Sequence, residues 1–361
     1  MAKDTDTNAS GEIRLKDYQP PEFTTDHVNL AFDIYDDYTI VHSYVTYKRT
    51  AQGAGANELV LNAQDPTPKD SPDYIQSVIA DDMELSADQG YIFDSKNDQL
   101  RIPVDPEQDE VTVEIETYLE PQANTKLEGL YKGGDSLMTQ CESLGFRRIT
   151  PFLDRPDVLA EYDVTINAPK DSFPVLLSNG NKVDSGDSGN GRHWARFNDP
   201  FPKPSYLFAT VDGQLDWIER QYTTNSGRTI NLYVYTDTGD ADAKGWHALD
   251  SLEQAMRWDE ETFGLECDLD EYHVAATARF SMGAMENKGL NLFRDILVLA
   301  SPEIATDRNY QLITDVIGHE YFHNYTGNRV TLRDWFQLSV KEGLTVNREQ
   351  MFTAYTTAPA P

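Results

Sequence analysis

The stretch "TDRNYQLITDVIGHEYFHNYTG", residues 306–327, decides how the second half of this chain is read. Leu312, Ile313, Val316 and Ile317 recur at spacings of three and four, which predicts a helix with one apolar face, and Gly327 closes the pattern. Inside it stands His319-Glu320-x-x-His323. Residues four apart on a helix differ by about 40° around its axis, so both imidazoles project from one face, a turn apart, and can close on one cation. Neutral imidazole suits zinc, and a catalytic zinc keeps a position open for water. Glu320, about 100° round the helix from His319, would stand beside the metal as a general base. A pattern of three fixed positions also occurs by chance in unrelated chains. The apolar run before it favours burial, and a buried histidine pair beside a glutamate needs partners to offset its desolvation.

A third ligand should come from a second helix. "LSVKEGLTVNREQMFTAY" reads as one, with Glu342 placed 19 positions after His323 and flanked by Leu338 and Leu344 on a face read as apolar. Alone, such a glutamate is most often part of a solvated helix face. Upstream, "DADAKGWHALDSLEQAMRWDEETFG" spaces Trp246, Leu249, Leu252, Ala255 and Met256 helically and stops at Gly264. The runs "YHVAATARF" and "DILVLAS" read as strands on either side of "SMGAMENKGLN", so an α+β region is expected from about residue 213.

Residues 25–212 have a different texture. "HVNLAFDIYDDYTIVHSYVTYKR", "VTVEIETYLE" and "YDVTINAP" alternate apolar and polar positions, and "SNGNK", "SGDSGNG" and "DPFPKP" punctuate them. One-sided alternation predicts an antiparallel β-sandwich or saddle with one face on a core and the other in water.

At 361 residues and 39% hydrophobic, the chain can bury two or three cores. Its 61 acidic against 30 basic residues give a formal charge of -31, spread along the whole length. Such a surface repels nucleic acid and anionic membranes, and it reads as solubility chemistry of a saline environment. Cys141 and Cys267 cannot make a disulfide framework. No signal-like apolar run opens the chain and no 18 consecutive apolar residues occur, so a cytoplasmic, soluble protein with a disordered tip over residues 1–16 is expected.

Three segments together identify a family. "GAMEN" (283–287), "HEYFHNYTGNRVT" (319–331) and "DWFQLSVKEGLT" (334–345) resemble the aminopeptidase N family of zinc metallopeptidases, in its bacterial alanyl aminopeptidase branch. The likeness extends through "NTKLEGLYKGGDSLMTQCESLGFRRITPFLDRPDVLAEY" and covers about residues 17–352. The resemblance implies a β-rich N-terminal domain over 17–212 and a partial thermolysin-like α+β catalytic domain over 213–352. It implies one zinc ion held by His319, His323 and Glu342, with Glu320 deprotonating the water on it. Glu286 would bind the α-amine of the substrate with Glu142 as its companion. Gln140 would line the first side-chain site with Met282 as a flexible cushion over it, and Gly283, Ala284 and Met285 would also bind substrate, the strand-like flanks of "GAMEN" suggesting an edge whose backbone pairs with the extended peptide. The expected partners are peptides with a free N-terminus, acting on a monomer, with neither nucleic acid nor membrane. In most sequences Met282, Met285 and Glu142 would be packing or surface residues.

The family pattern stops early. Members continue well beyond the Glu342 helix and carry a tyrosine that donates to the oxyanion, which is missing here; Tyr355 is not assigned that role. Losing one such donor typically costs about 2.7–4 kcal/mol of transition-state stabilisation. The end "TAYTTAPAP", residues 353–361, is expected to be a divergent, unstructured tail. Three readings follow: a zinc aminopeptidase impaired by truncation, a non-catalytic zinc- and peptide-binding remnant, and the related epoxide hydrolase chemistry, which "GAMEN" and "TQCE" disfavour.

Overall fold

A computed structural model describes residues 13–68, 71–87, 89–237 and 239–357. Most of the expected tip at 1–16 therefore lies outside the described residues, although Leu15–Asp17 forms a single 3-10 turn. The alternating segments of the first half become strands. His27–Ile34 buries every second side chain, as does Glu110–Leu119, so each turns one apolar face to a core. They belong to a nine-stranded sheet ordered Asn181–Gly189, Arg192–Lys203, Ala160–Pro169, His27–Ile34, Thr39–Arg49, Glu110–Leu119, Ile75–Ala80, Met83–Glu84, with Phe23–Thr24 beside Thr39–Arg49. It is antiparallel except where Glu161–Asn167 runs parallel to His27–Asp33. A three-stranded sheet contributes Leu59, Leu61, Leu100 and Ile102 to the same core as Val28, Phe32, Phe146 and Phe208. Each such side chain contributes on the order of 1.5–3 kcal/mol by leaving water.

A four-stranded sheet, Gly129–Gly133, Ser136–Gln140, Thr210–Gly213 and Val175–Ser178, connects the halves. Its Tyr131, Met138, Leu177 and Val211 share a core with Ala275, Met285, Leu290 and Leu292 of the second half. The end of the strand Ser136–Gln140 is thereby fixed against the "GAMEN" segment.

The second half is a five-stranded mixed sheet, ordered Asp216–Thr223, Thr229–Thr236, Glu271–Thr277, Leu290–Arg294, Ala284–Met285, carrying the helices. These are α1 (Ala241–Lys244), α2 (Trp246–Phe263), α3 (Asp307–Phe322) and α4 (Leu338–Thr357). Gly264 ends α2 in the left-handed conformation at φ 70°, which glycine adopts without a Cβ penalty. Thr306 and Asn309 cap α3 reciprocally, the Thr306 hydroxyl accepting from the Asn309 N–H at 3.3 Å and Asn309 Oδ1 accepting from the Thr306 N–H at 3.0 Å. Helix α3 stops at Phe322, before Gly327, with His323 as its C-cap residue.

Several expectations need correction. "DILVLAS" is not a strand: Asp295–Leu297 turns as a 3-10 helix, the Val298 and Leu299 N–H groups both donating to the Asp295 carbonyl, and the strand is Leu290–Arg294, starting inside the segment read as a connection. "SGDSGNG" and "DPFPKP" are not breaks between strands but lie largely within Asn181–Gly189 and Arg192–Lys203, which pair with one another. Residues 353–357 are not an unstructured tail: α4 continues through Thr357, because Phe352 is fully buried against Trp258 and Phe322 and carries the helix past it. The amphipathicity of α4 is also inverted. Lys341, Thr345, Arg348 and Phe352 face inward, whereas Leu338, Val340, Leu344 and Met351 are exposed. The inward positions answer buried carboxylates and carbonyls: Arg348 pairs with Asp259 and donates to the Phe322 carbonyl at 2.8 Å. No described helix is long and apolar enough to cross a membrane.

Candidate metal and amine-binding site

Helix α3 presents His319 and His323 side by side, and α4 brings Glu342 up to them. The two Nε2 atoms lie 3.0 Å apart, and Glu342 Oε2 is 3.4 Å from each. His319 Nδ1 is 2.8 Å from Glu349 Oε2, and His323 Nδ1 is 2.8 Å from the Thr326 carbonyl. Neither the Glu349 carboxylate nor the Thr326 carbonyl can donate, and the Thr345 hydroxyl, 3.1 Å from His323 Nδ1, donates to that same carbonyl at 2.9 Å, so each ring carries its N–H on Nδ1 and turns a lone pair inward from Nε2. Two lone pairs and a carboxylate oxygen thus face one another at 3.0–3.4 Å, an arrangement that repels unless a positive charge lies among them. Two imidazole nitrogens and one carboxylate oxygen, each nitrogen backed by an acceptor on its far side, fit a zinc ion.

Without a metal, a proton fills that role. Burial opposes charge on His319, but the hydrogen bonds to Glu342 and Glu349 outweigh it and push its pKa up to about 10. His323 is likewise raised, burial being outweighed by Glu286 and Glu342. For Glu342 burial is overcome by the two histidines, which hold it well below the usual carboxylate range. Glu320 is 6% exposed, and burial pushes it up to about 7 despite both histidines. Glu286, Glu320 and His323 form a second cluster of donor atoms within 4.8 Å of one another.

Glu286 follows the two-residue strand Ala284–Met285, which is the edge of the five-stranded sheet and, among the described residues, pairs with Leu292 and Phe293 alone. Asn328, just past the α3 helix, donates its amide to the Glu286 carbonyl at 2.9 Å. The bridging sheet supplies Gln140, whose Oε1 is buried without a partner among the described residues, and just past it Glu142. Lys341 joins the two acids: its ammonium is 2.8 Å from Glu142, 3.2 Å from Glu342, and in contact with Glu286. Burial raises the Glu142 pKa, whereas in Glu286 the charges of His323 and Lys341 overcome burial and lower it. Met282 is 49% exposed and Gly283 is also exposed, while Ala284 is half-buried. Met285 is buried in the core between the halves, as an ordinary packing residue would be.

All four residues of the histidine-glutamate constellation and both amine-site acids therefore come together. The sequence reading missed Lys341 and Glu349. Glu349 stands seven residues after Glu342, two turns along the same helix face, and that spacing could have flagged it.

Residues 24–207 match the peptidase M1 N-terminal domain, and residues 247–359 match the peptidase family M1 domain. The chain belongs to peptidase family M1. Among relatives in this family, aminopeptidase N of Haemophilus influenzae is 48% identical over 341 residues, covering 94% of this chain and 38% of its own length. Aminopeptidase N of Escherichia coli is 47% identical over 338 residues, with 94% and 37% covered. In three dimensions the M1 fold seen here superposes on aminopeptidase A of Legionella pneumophila, solved in complex with aspartic acid. The TM-score is 0.88 at 36% identity, over 95% of this chain and 39% of that one. The chain thus spans a little over a third of the length of these M1 relatives.

Proposed function

We propose that this chain is the N-terminal and partial catalytic portion of a zinc-dependent aminopeptidase, removing single residues from the free N-termini of peptides. One observation carries this reading: the His319, His323 and Glu342 donors converge beside a carboxylate pair, Glu142 and Glu286, that already holds an ammonium group.

Zinc, when bound by His319, His323 and Glu342, supplies Lewis acidity toward the attacking water and the scissile carbonyl. The protein's own residues do the rest. Glu320, buried beside His323, takes a proton from the water and returns it to the leaving amine. Glu142 and Glu286 receive the α-ammonium and so fix the distance from the chain end to the reacting bond. An internal peptide bond brings no ammonium and leaves these acids unpaired, which rejects it. The free edge of Ala284–Met285 pairs with the extended substrate backbone, while Gln140 and Met282 border its first side chain. The thioether of Met282 adapts to side chains of differing shape.

The test is metal analysis of the purified chain together with hydrolysis of an alanyl or arginyl arylamide, with Glu320→Gln as control. One zinc per chain and turnover lost in Glu320→Gln are expected. Zinc without turnover would favour a peptide-binding remnant, and folded protein that takes up no zinc would refute the ligand assignment.

A further inference from the structure

Lys341 is the least expected member of the site. Its side chain is 1% exposed, and its ammonium carries three N–H donors, matched by carboxylates of Glu142, Glu286 and Glu342. The stem is held as tightly as the head. A Cβ on Gly327 would come within 3.0 Å of Lys341 Cγ and Cδ, so only glycine leaves room for the chain to pass, and the ammonium lies 5.3 Å from the Tyr206 ring centroid. Lys341 is thus built into the place where a substrate ammonium is read to dock.

Resting on the reading that Glu142 and Glu286 receive the substrate amine, we propose that Lys341 is an internal competitor for that subsite and sets the affinity for N-terminal amines by having to give way. Two ammonium groups cannot both use one carboxylate pair at contact distance without strong mutual repulsion. Lys341 also spares the empty site the cost of two buried carboxylates with no counter-charge. Free protein is therefore stable, and an incoming amine gains only the difference between its own pairing and that of Lys341. The lysine acts as a specificity residue: it admits ligands that add backbone and side-chain contacts to the ammonium and discriminates against bare amines.

The test measures binding of L-alaninamide by calorimetry at pH 7 to metal-free and zinc-loaded protein, for the wild type, Lys341→Met, Lys341→Arg and Glu286→Gln. Lys341→Met should bind at least tenfold more tightly, about 1.4 kcal/mol, while Lys341→Arg, which keeps the cation, should not. Methylammonium chloride should raise the melting temperature of Lys341→Met more than that of the wild type, because it restores the missing charge. Should the methionine variant not fold, Lys341→Gln takes its place in both measurements. Equal or weaker binding in the neutral variants, with Glu286→Gln still abolishing it, would overturn the role of Lys341 while leaving the amine subsite intact. Binding unaffected by Glu286→Gln, or absent throughout, would overturn both.

Discussion

Replacing Gly318 with alanine sets two effects of opposite sign against each other at the back of the metal site. Alanine in a helix interior is favoured over glycine by roughly 0.5–1 kcal/mol. At this position, however, the new Cβ would lie 2.8 Å from Phe352 Cδ1 and 2.9 Å from Cε1. Ordinary carbon contacts need ~3.6 Å, so α3 and α4 must part by roughly 0.8 Å. Phe352 cannot turn aside, because its ring is fully buried with Trp258 and Phe322 centroids at 5.6 and 5.5 Å. Overpacking of this kind costs about 1–3 kcal/mol, so the net effect is a loss. The displacement is also felt by the site. Glu349 is one turn before Phe352, and its 2.8 Å bond to His319 Nδ1 would stretch past the hydrogen-bond limit. Loss of a carboxylate behind a ligating histidine typically lowers metal affinity ten- to a hundredfold. Thermal unfolding of metal-free protein and zinc titration against a chromophoric chelator should therefore both decline in Gly318→Ala. A raised melting temperature with unchanged zinc affinity would show that the two helices are not as closely engaged as described.

Glu349→Ala should weaken zinc binding by the same ten- to a hundredfold without the stability loss of a wedge, read by the same chelator competition. Zinc must expel the proton held by His319, whose pKa is about 10, so affinity should climb as pH rises toward that value, with proton release visible as a buffer-dependent heat. In the metal-free protein the sign is opposite: the raised His319 pKa stabilises the fold fully below its unfolded value near 6.5, and that contribution fades as pH rises through about 10. Asp212 offers a test far from the metal. Burial pushes it up to about 7, outweighing the Thr210 hydroxyl that donates to its Oδ2 at 2.6 Å and the backbone bond from Leu177. Its contribution is present in full below about 3.8 and lost as pH climbs to about 7, at most ~4 kcal/mol. Asp212→Asn should flatten the pH dependence of unfolding between 4 and 8, and a slope that persists would refute the assignment.

The legible parts of this molecule are those written in short-range spacing. Alternation in His27–Ile34 gives a half-buried strand, and four-residue spacing puts His319 and His323 on one face, whatever else the chain does. The parallel pairing of Glu161–Asn167 with His27–Asp33 joins segments more than a hundred residues apart and has no local signature. The face of α4 was misjudged for a different reason. A helical pattern identifies two faces but not which one is buried, and apolar residues are normally assigned inward. Here the inner face carries Lys341, Thr345 and Arg348 because what they pack against is itself charged or carbonyl-lined. A lysine beside a metal-ligand candidate reads as solvated until the carboxylates around it are known, which is why Lys341 was invisible and Glu342 was not.

The same lysine ties the two halves of the site together. Glu342 is shared: one oxygen faces both histidine Nε2 atoms at 3.4 Å, and the other lies 3.2 Å from Lys341. A dication drawing on Glu342 both withdraws negative charge from Lys341 and adds positive charge nearby, so zinc loosens the lysine's hold on the amine subsite. Glu142 and Glu286 remain, and they are the groups an incoming α-ammonium can use. Coupling of this kind is reciprocal: any amine that displaces Lys341 must change zinc affinity by the factor by which zinc changes the affinity for that amine. Removing Lys341 cuts the shared link through Glu342 and leaves only the direct repulsion between zinc and ammonium. Zinc should therefore weaken L-alaninamide binding more in Lys341→Met than in the wild type, and an equal change in the two proteins would show that Lys341 does not connect the metal to the amine subsite.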